Sequence, residues 1–324
     1  MSLKFSLNLK NLQKQNPGGS SFLKNGFFLE GHNGSTIFLI HGLTGTPNEM
    51  RFLANFFNKR MGYTVVCPRL ANHGAPIDTL KKTTWQDCYQ SIREAFLHIR
   101  DKSTGPVFTS GLSMGALLAL LLGEEFNGNI SGITCLSPTL FYDGWNVPWY
   151  ATFLLPLFYA TPLKHFAYFK EEPPYGFKNE ALQKRVHKQF CKARLNDPQA
   201  VEQYGYPYFP MTLLHQLSLL VKYLTKVLPS IRIPVQIIQA KDDDMTSIKN
   251  STFIFDRINS ETKELVLLND SYHVITADQE RDTVARKMHD FYRRIACTIE
   301  KENEHSCKDK NHDRPISECY TLDT

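Results

Sequence analysis

The sequence lacks the signatures of several protein classes. Its seven cysteines are scattered, without a CxxC pair or a Cys/His cluster at metal-ligand spacing, at positions 67, 88, 135, 191, 297, 307 and 319. This distribution argues against a disulfide framework and a zinc site, and it is typical of a reducing compartment. The first residues, MSLKFSLNLKNLQKQ, interrupt their apolar positions with lysine and asparagine and contain no secretory core. We therefore expect a cytoplasmic protein without a metal site.

Charge of one sign and internal repeats are also scarce. The formal net charge is +5, and no run of lysine and arginine is long enough to neutralise many phosphates. Nucleic acid is therefore not an expected partner. No segment recurs at a fixed period, so a solenoid is not expected either. Apolar residues are plentiful, with 42% hydrophobic and 12% aromatic content in 324 residues, which is enough for a sizeable core in one main domain.

Short apolar runs alternate with segments of helical spacing along most of the chain. The apolar runs are TIFLI (36–40), YTVVC (63–67), PVFTS (106–110), ISGITCLS (130–137), PVQIIQA (234–240) and KELVLL (263–268). Helical spacing is found in 47–60, 83–100, 114–126, 211–228, a segment that begins at 246, and 278–297. Before the first of the apolar runs, an early strand or hairpin is expected within 22–30. Buried strands separated by helices predict an α/β fold whose parallel sheet is covered on both faces.

The alternation also predicts the domain organisation. Residues 1–20 are a polar N-terminal segment, and the α/β core is expected from 21–140 and 211–297. Between them the pattern breaks over 141–210, which we interpret as an insertion forming an aromatic-rich cap. The tail 298–324 is rich in lysine, glutamate and asparagine, and it has too few apolar residues to offset its ordering entropy, so we expect it to be disordered.

A candidate nucleophile lies in Gly111-Leu112-Ser113-Met114-Gly115, between the run PVFTS and the helix that follows it. A serine on a tight strand-to-helix turn adopts strained dihedral angles, and small residues two before and two after it let the backbone close. A plain glycine and serine turn is the alternative interpretation. Because a serine hydroxyl is a weak nucleophile without a neighbouring base, the sequence must also supply a base and an oxyanion hole.

The oxyanion hole is predicted in His41-Gly42-Leu43-Thr44-Gly45, directly after TIFLI. A loop at this place can turn the N–H of Leu43, together with that of Met114, toward the charge that develops on a carbonyl oxygen. We expect His41 itself to be structural and to orient this loop.

His273 is the expected base, because it lies in the loop after the last strand, at the carboxyl edge of the sheet where Ser113 also lies. The alternatives His165, His187 and His215 fall in the insertion or on helices. A further competitor, His73, follows an early strand, and we expect it to shape the substrate loop.

The acid that orients this base should follow the strand PVQIIQA, where three aspartates stand in sequence at 242, 243 and 244. Position alone does not choose among them, and Asp143 is a distant alternative. Any of the three gives the chain order nucleophile, acid, base, which is the order of α/β-hydrolases.

These motifs resemble the bacterial carboxylesterase and monoacylglycerol-lipase-like branch of the α/β-hydrolase superfamily. The likeness covers most of residues 25–295 and lies in FLIHGLTGTP, CPRLANHG, TTW, GLSMG, QAKDDDM and SYHVITADQERD. The resemblance implies a mostly parallel central sheet flanked by helices with a cap insertion after the sixth strand, and it assigns the acid to Asp243.

The resemblance also implies hydrolysis of carboxylic esters with an apolar acyl group through an acyl-enzyme on Ser113, without a cofactor. Thioesterase, amidase or acyltransferase activity would use the same residues. A binding protein that kept the fold and lost turnover is the alternative from another class.

The expected cap is rich in aromatic residues, and we predict that Trp145, Trp149 and Tyr150 bind an apolar ester substrate. The alternative is that these rings only pack the cap's own core. The segment 147–163, VPWYATFLLPLFYATPL, is free of charge but shorter than the roughly 20 residues of a membrane span. Transient contact of the cap with a membrane surface is therefore a further expectation.

Overall fold

The structure of the protein is a computed structural model that describes residues 26–192 and 198–312. The N-terminal segment expected over residues 1–20 lies outside the described residues, as do residues 313–324 of the expected tail.

A seven-stranded sheet forms the centre of the molecule, in the order β1-β3-β2-β4-β5-β8-β9. Its strands are β1 (Phe27–Leu29), β2 (Thr36–Ile40), β3 (Thr64–Cys67), β4 (Val107–Leu112), β5 (Gly132–Leu136), β8 (Val235–Ala240) and β9 (Lys263–Leu268). All neighbouring pairs are parallel except β1 with β3. The four middle strands β2, β4, β5 and β8 are buried along their whole length, which explains why they are continuous apolar runs in the sequence.

Helices cover both faces of the sheet and bury one hydrophobic cluster against each face. The core helices are α1 (Arg51–Asn55), α2 (Ile77–Leu80), α3 (Trp85–Arg100), α4 (Met114–Glu125), α8 (Met211–Val227), α9 (Lys249–Arg257) and α10 (Arg281–His312). Helix α4, which follows the candidate nucleophile, is buried on every side over its first ten residues, Met114 to Gly123. The elements on either side of Ser113 are therefore held in the interior of the molecule.

The insertion forms a cap over the carboxyl edge of the sheet. It contains α5 (Ala151–Tyr159), a 3-10 turn (Pro162–His165), α6 (Glu180–Lys192), α7 (Pro198–Tyr204) and a two-stranded antiparallel sheet of β6 (Tyr168–Lys170) with β7 (Tyr208–Pro210). Within the two described ranges, no helix is both long and apolar enough to cross a membrane.

Three details differ from the expectations. In chain order the cap follows the fifth strand of the described residues and not the sixth, because only β1 precedes β2 there. The helix expected over 47–60 is divided into a 3-10 turn (Pro47–Met50), α1 and a π-helical turn (Phe56–Arg60). Helix α10 continues past Thr298 to His312, into the segment expected to be disordered, because glutamate and lysine have high intrinsic helix propensities.

Candidate active site

Ser113 occupies a sharp turn between β4 and α4. Its φ is +57° and its ψ is −118°, a backbone conformation that side-chain-bearing residues rarely adopt. The turn closes only because glycines flank it. A Cβ on Gly111 would lie 2.0 Å from the carbonyl oxygen of Gly115, and a Cβ on Gly115 would lie 2.4 Å from the carbonyl oxygen of Ile40. The Gly-x-Ser-x-Gly spacing therefore has the steric cause expected from the sequence.

The hydroxyl of Ser113 is buried and makes a hydrogen bond of 2.9 Å with the hydroxyl of Thr139. Among the described residues, this hydroxyl and not the imidazole of His273 is the partner of Ser113 Oγ. In a site without substrate, the hydrogen bond between nucleophile and base is often long or poorly aligned, and it tightens when the substrate binds.

His273 and Asp243 form a buried pair. The Nδ1 atom of His273 lies 2.9 Å from Oδ2 and 3.1 Å from Oδ1 of Asp243. The same carboxylate accepts hydrogen bonds from the backbone N–H groups of Met245 and Thr246 and from the side chain of Gln239. These donors fix the carboxylate, which in turn fixes Nδ1 as the protonated nitrogen of a neutral imidazole. The opposite nitrogen, Nε2, is then free to accept a proton.

The neighbouring aspartates have other contacts. Asp244 accepts hydrogen bonds from the backbone N–H of His273 and from that of Gly176 in the cap, and burial raises its pKa to about 6. Asp242 is exposed and lies 3.5 Å from the ammonium group of Lys178. The alternative Asp143 accepts hydrogen bonds from Ser247 and Asn250, and it does not contact the imidazole. The carboxylate that the resemblance selected is therefore the one that contacts the imidazole of His273.

The predicted oxyanion donors are both buried, and they belong to neighbouring elements. Leu43 lies in the loop after β2, and Met114 is the first residue of α4. Within residues 26–192 and 198–312, neither backbone N–H donates a hydrogen bond to a protein acceptor. A Cβ on Gly42 would lie 3.6 Å from the Cβ of Ser113, so this loop passes directly beside the nucleophile.

Two histidines support the loop after β2. His41 Nδ1 lies 3.0 Å from the carbonyl oxygen of Gly42, while its Nε2 accepts the N–H of Leu70. Burial lowers the pKa of His41 well below its usual range, so the ring is neutral and donates through Nδ1. His73 Nε2 lies 2.7 Å from the carbonyl oxygen of Leu43. Neither histidine faces the nucleophile, and both hold the backbone of the loop, in agreement with their expected roles.

The cap is attached to the loops on both sides of the site. On one side, the backbone N–H of Tyr206 donates to the carbonyl of Thr44 at 2.9 Å. On the other side, the N–H of Val274, next to His273, donates to the carbonyl of Gly176 at 2.8 Å. Only 9% of the surface of Ser113 and 5% of that of His273 are exposed.

A cavity of about 280 Å³ lies between the cap and the core. Apolar side chains make up most of its wall, namely Tyr142, Val147, Pro148, Ala151, Leu155, Phe169, Tyr175, Phe209, Leu214 and Met245. Its polar side chains are Asn146, Lys170, Glu171, Glu172 and Asp244. The cavity ends at Asp244 and Gly176, which are both hydrogen-bonded to the loop of His273. Its wall is suited to an apolar chain beside a few polar groups.

The three aromatic residues predicted to bind substrate do not line this cavity. Trp145 packs its ring on Tyr272 at 5.5 Å and donates to the carbonyl of Asp242. Trp149 and Tyr150 pack on each other at 6.0 Å, and Trp149 is 80% exposed. All three are exposed residues, and other residues form the cavity wall.

Sequence reasoning missed three residues of the site. Thr139 is the hydrogen-bond partner of the candidate nucleophile, and Glu49 accepts the backbone N–H of Gly42. Asp278 accepts the backbone N–H groups of Lys178 in the cap and Tyr272 in the base loop. Each is a polar residue in a loop or short turn, and no local spacing distinguishes it from a solvated side chain. In the described ranges, no group of three or more His, Cys, Asp or Glu side chains is arranged to hold a metal ion.

Comparison with known proteins places this geometry in a family. A thermostable monoacylglycerol lipase from Bacillus sp. (strain H-257) is 30% identical over 260 residues, which is 80% of this chain and 91% of the lipase. A carboxylesterase from Bacillus subtilis (strain 168) is 25% identical over 80% of this chain and 92% of the esterase. A solved structure from work on LipS and LipT, two metagenome-derived lipolytic enzymes, superimposes with a TM-score of 0.67 at 26% identity, covering 83% of this chain and 97% of that one.

The family model described as serine aminopeptidase, S33, matches residues 31–280, which is most of the chain. The match contains the sharp turn of Ser113 between β4 and α4, which we call the elbow, and the loops of Leu43, Asp243 and His273. It also contains the entire cap. The chain therefore belongs to the serine aminopeptidase S33 family of α/β-hydrolases.

Proposed function

We propose that the protein is a carboxylic ester hydrolase that cleaves esters with an apolar acyl group, of the monoacylglycerol-lipase or carboxylesterase type. The buried hydrogen bond between His273 and Asp243, beside a serine held on a strained elbow, is the observation that carries this proposal. The names of two relatives, a monoacylglycerol lipase and a carboxylesterase, support the substrate class. The apolar cavity beneath the cap provides a place for the acyl chain.

The mechanism begins with Ser113 turning from Thr139 toward Nε2 of His273, which takes the hydroxyl proton as Oγ attacks the ester carbonyl. The N–H groups of Leu43 and Met114 stabilise the oxyanion of the tetrahedral intermediate. The imidazolium is stabilised by Asp243 and returns its proton to the leaving alcohol. Water then attacks the acyl-enzyme with the same base and regenerates Ser113.

Labelling with a fluorophosphonate tests the nucleophile directly. The natural protein should be labelled on Ser113, and Ser113→Ala should lose labelling together with at least ~10³-fold of its hydrolytic rate. Ser110→Ala, on the same strand, is the matched control and should keep its activity. Labelling that survives Ser113→Ala, or hydrolysis that is unchanged by it, would rule out the proposed mechanism.

A substrate series distinguishes esters from the other reactions that this machinery can perform. Monoacylglycerols of increasing chain length should be hydrolysed faster than the matched thioester and than an α-aminoacyl nitroanilide, which an aminopeptidase would prefer. A higher kcat/KM for the nitroanilide would replace the ester proposal with a peptidase. An absence of turnover on the whole series would favour the binding-protein alternative.

We also propose that the outer face of the cap makes transient contact with a lipid surface that presents the substrate. Phe153 and Leu157 lie four residues apart on α5, and they are 70% and 65% exposed. Trp149 before the helix and Phe166 after it are more exposed still. Tryptophan beside a charge-free apolar face is typical of segments that lie in a membrane interface.

A further inference from the structure

The loop after β2 is fixed at successive backbone groups. The Glu49 carboxyl accepts the N–H of Gly42 at 2.9 Å, and His41 donates to the carbonyl of the same glycine at 3.0 Å. The carbonyl of Gly42 and the N–H of Leu43 belong to one planar peptide group. The Gly42 N–H belongs to the preceding peptide group, so Glu49 fixes the group before Gly42 and His41 fixes the group that carries the Leu43 N–H. The two contacts together set the two backbone torsions of Gly42, and with them the direction of the Leu43 N–H relative to the rest of the loop.

Glu49 reaches this loop from the 3-10 turn that follows it, and the backbone closes over its carboxyl group. A Cβ on Gly45 would lie only 2.0 Å from Oε1 of Glu49, so the carboxyl occupies the space that any other side chain at position 45 would need. A Cβ on Gly42 would lie 3.3 Å from Oε2 of Glu49 and 3.6 Å from the Cβ of Ser113. The carboxyl, the loop and the nucleophile therefore meet at one place.

We propose that Glu49 is a positioning residue for the oxyanion hole, which holds Gly42 so that the Leu43 N–H points at the reacting carbonyl oxygen. Glycine has more conformational freedom than any other residue, so without this acceptor the torsions of Gly42 are restrained from one side only and the Leu43 N–H can shift away from its target. His41 restrains the glycine only through its carbonyl. The inference rests on the proposed function, since Leu43 acts only if an oxyanion forms on Ser113.

Two substitutions of similar size separate positioning from packing. Glu49→Gln keeps an oxygen that can accept the Gly42 N–H, whereas Glu49→Met fills the same space without an acceptor. We expect Glu49→Met to lower kcat per active site at least ~10-fold with KM changed less than ~2-fold, because the oxyanion contact exists only in the transition state. Glu49→Gln should retain kcat within ~3-fold. Active sites are counted by titration with a fluorophosphonate, so that unfolded protein does not contribute.

A purely structural role for Glu49 gives a different result. The melting temperature and the number of titratable sites would then fall, while kcat per titrated site stayed at the value of the natural enzyme. That outcome, or equal losses in Glu49→Gln and Glu49→Met, would overturn the proposal. The Ser113→Ala test is unaffected by either result, so failure of this inference and failure of the proposed function are distinguishable.

A second experiment, on variants of Gly45, gives a result even if Glu49→Met does not fold. The methyl group of Gly45→Ala should displace the Glu49 carboxyl and lower kcat at least ~10-fold with little change in KM. When Gly45→Ala is combined with Glu49→Ala, the space is free, and the glycine substitution should cost less than ~2-fold beyond Glu49→Ala alone. Losses that simply multiply in the double variant would show that the two groups act independently, and this too would overturn the proposal.

Discussion

The imidazole of His273 is surrounded by carboxyl groups that decide its protonation. Burial alone lowers its pKa, but the charges of Asp243, Asp244 and Glu49 outweigh burial and raise the pKa above the ordinary value of 6.5. For carboxyl groups burial has the opposite effect, because it disfavours their charged form. It raises the pKa of Glu49 to about 7 and that of Glu171, in the cap, to about 8. The pKa of His273 is therefore higher than its pairing with Asp243 alone would make it.

This environment predicts the pH dependence of activity. Because only the neutral imidazole of His273 can take a proton from Ser113, kcat/KM should rise with pH and reach half of its plateau above pH 6.5. A pH–rate profile with a soluble ester measures this midpoint. A midpoint at or below 6.5, or a flat profile through that region, would contradict the assignment of the base.

The same groups predict the opposite trend for stability. A histidine whose pKa is raised in the folded state stabilises the fold below pH 6.5, and this contribution is lost as the pH rises through the raised pKa. The buried carboxyl of Glu49 acts in the same direction, since its protonated form is favoured in the folded state and it ionises more readily in the unfolded chain. Both contributions to the free energy of unfolding therefore decrease in the range where activity increases.

Among the contacts between elements, the one between the cap and the loop after β2, which carries Leu43, depends on Gly205. Gly205 precedes Tyr206, has a φ of +82°, and a Cβ at its position would lie 2.6 Å from the carbonyl oxygen of Thr44. The end of α7 can thus approach the loop of Leu43 only where no side chain intervenes. The cap and the loop after β2 are packed backbone against backbone at this point.

Gly205→Ala should consequently reduce both stability and kcat. Gly128 is a matched control, because its φ is +91° but nothing lies within 4 Å of a Cβ there. Alanine at either position carries a strain of about 1 kcal/mol from the positive φ. Only Gly205→Ala should add a further 1–3 kcal/mol or so for the clash and lower kcat by displacing the loop. Urea unfolding and kcat of both variants test this, and equal effects would exclude the close contact.

The sequence predicted the central elements because their cause is local. TIFLI, PVFTS and PVQIIQA are predominantly apolar since both faces of these strands are buried, and the Gly-x-Ser-x-Gly spacing follows from the geometry of one turn. These features need no knowledge of distant residues. The fold class and the elbow of Ser113 could therefore be predicted.

Features that depend on distant contacts could not be predicted in this way. Asp243 differs from its two neighbours in reaching the imidazole of His273, thirty residues further along the chain, so resemblance was needed to select it. Glu49 has the appearance of an ordinary acidic residue in the first turn of a helix, and its burial depends on the fold of the preceding loop. The pairing of β6 with β7 joins two short segments about forty residues apart, and neither has an apolar pattern of its own.

The whole molecule combines a buried candidate nucleophile, Ser113, with an exposed apolar face on the cap. Ser113 lies in the interior with 9% of its surface exposed, whereas Phe153 and Leu157 on α5 are exposed. If the proposed lipid contact forms, it buries these side chains and places the cap against the surface that presents the ester.

The double variant Phe153→Ser/Leu157→Ser tests this contact. It should lower the fraction of protein that floats with phosphatidylcholine vesicles at least ~5-fold, because it removes two exposed apolar side chains from one helix face. Hydrolysis of a short soluble ester should stay within ~2-fold. Phe28→Ser, at a 47% exposed position on β1 outside the cap, is the control. Equal flotation of all three proteins would exclude α5 as the contact surface.

The two attachments of the cap also bear on how related enzymes exchange caps. Tyr206 joins the cap to the loop after β2, and Gly176 joins it to the loop after β9, so the inserted segment spans most of the sheet. A chimaera that receives a foreign cap obtains a new cavity wall, but it also obtains new supports for the loops of Leu43 and His273. Grafts that retain Gly205-Tyr206 and Gly176 from this chain would keep these two supports while most of the cavity wall is exchanged.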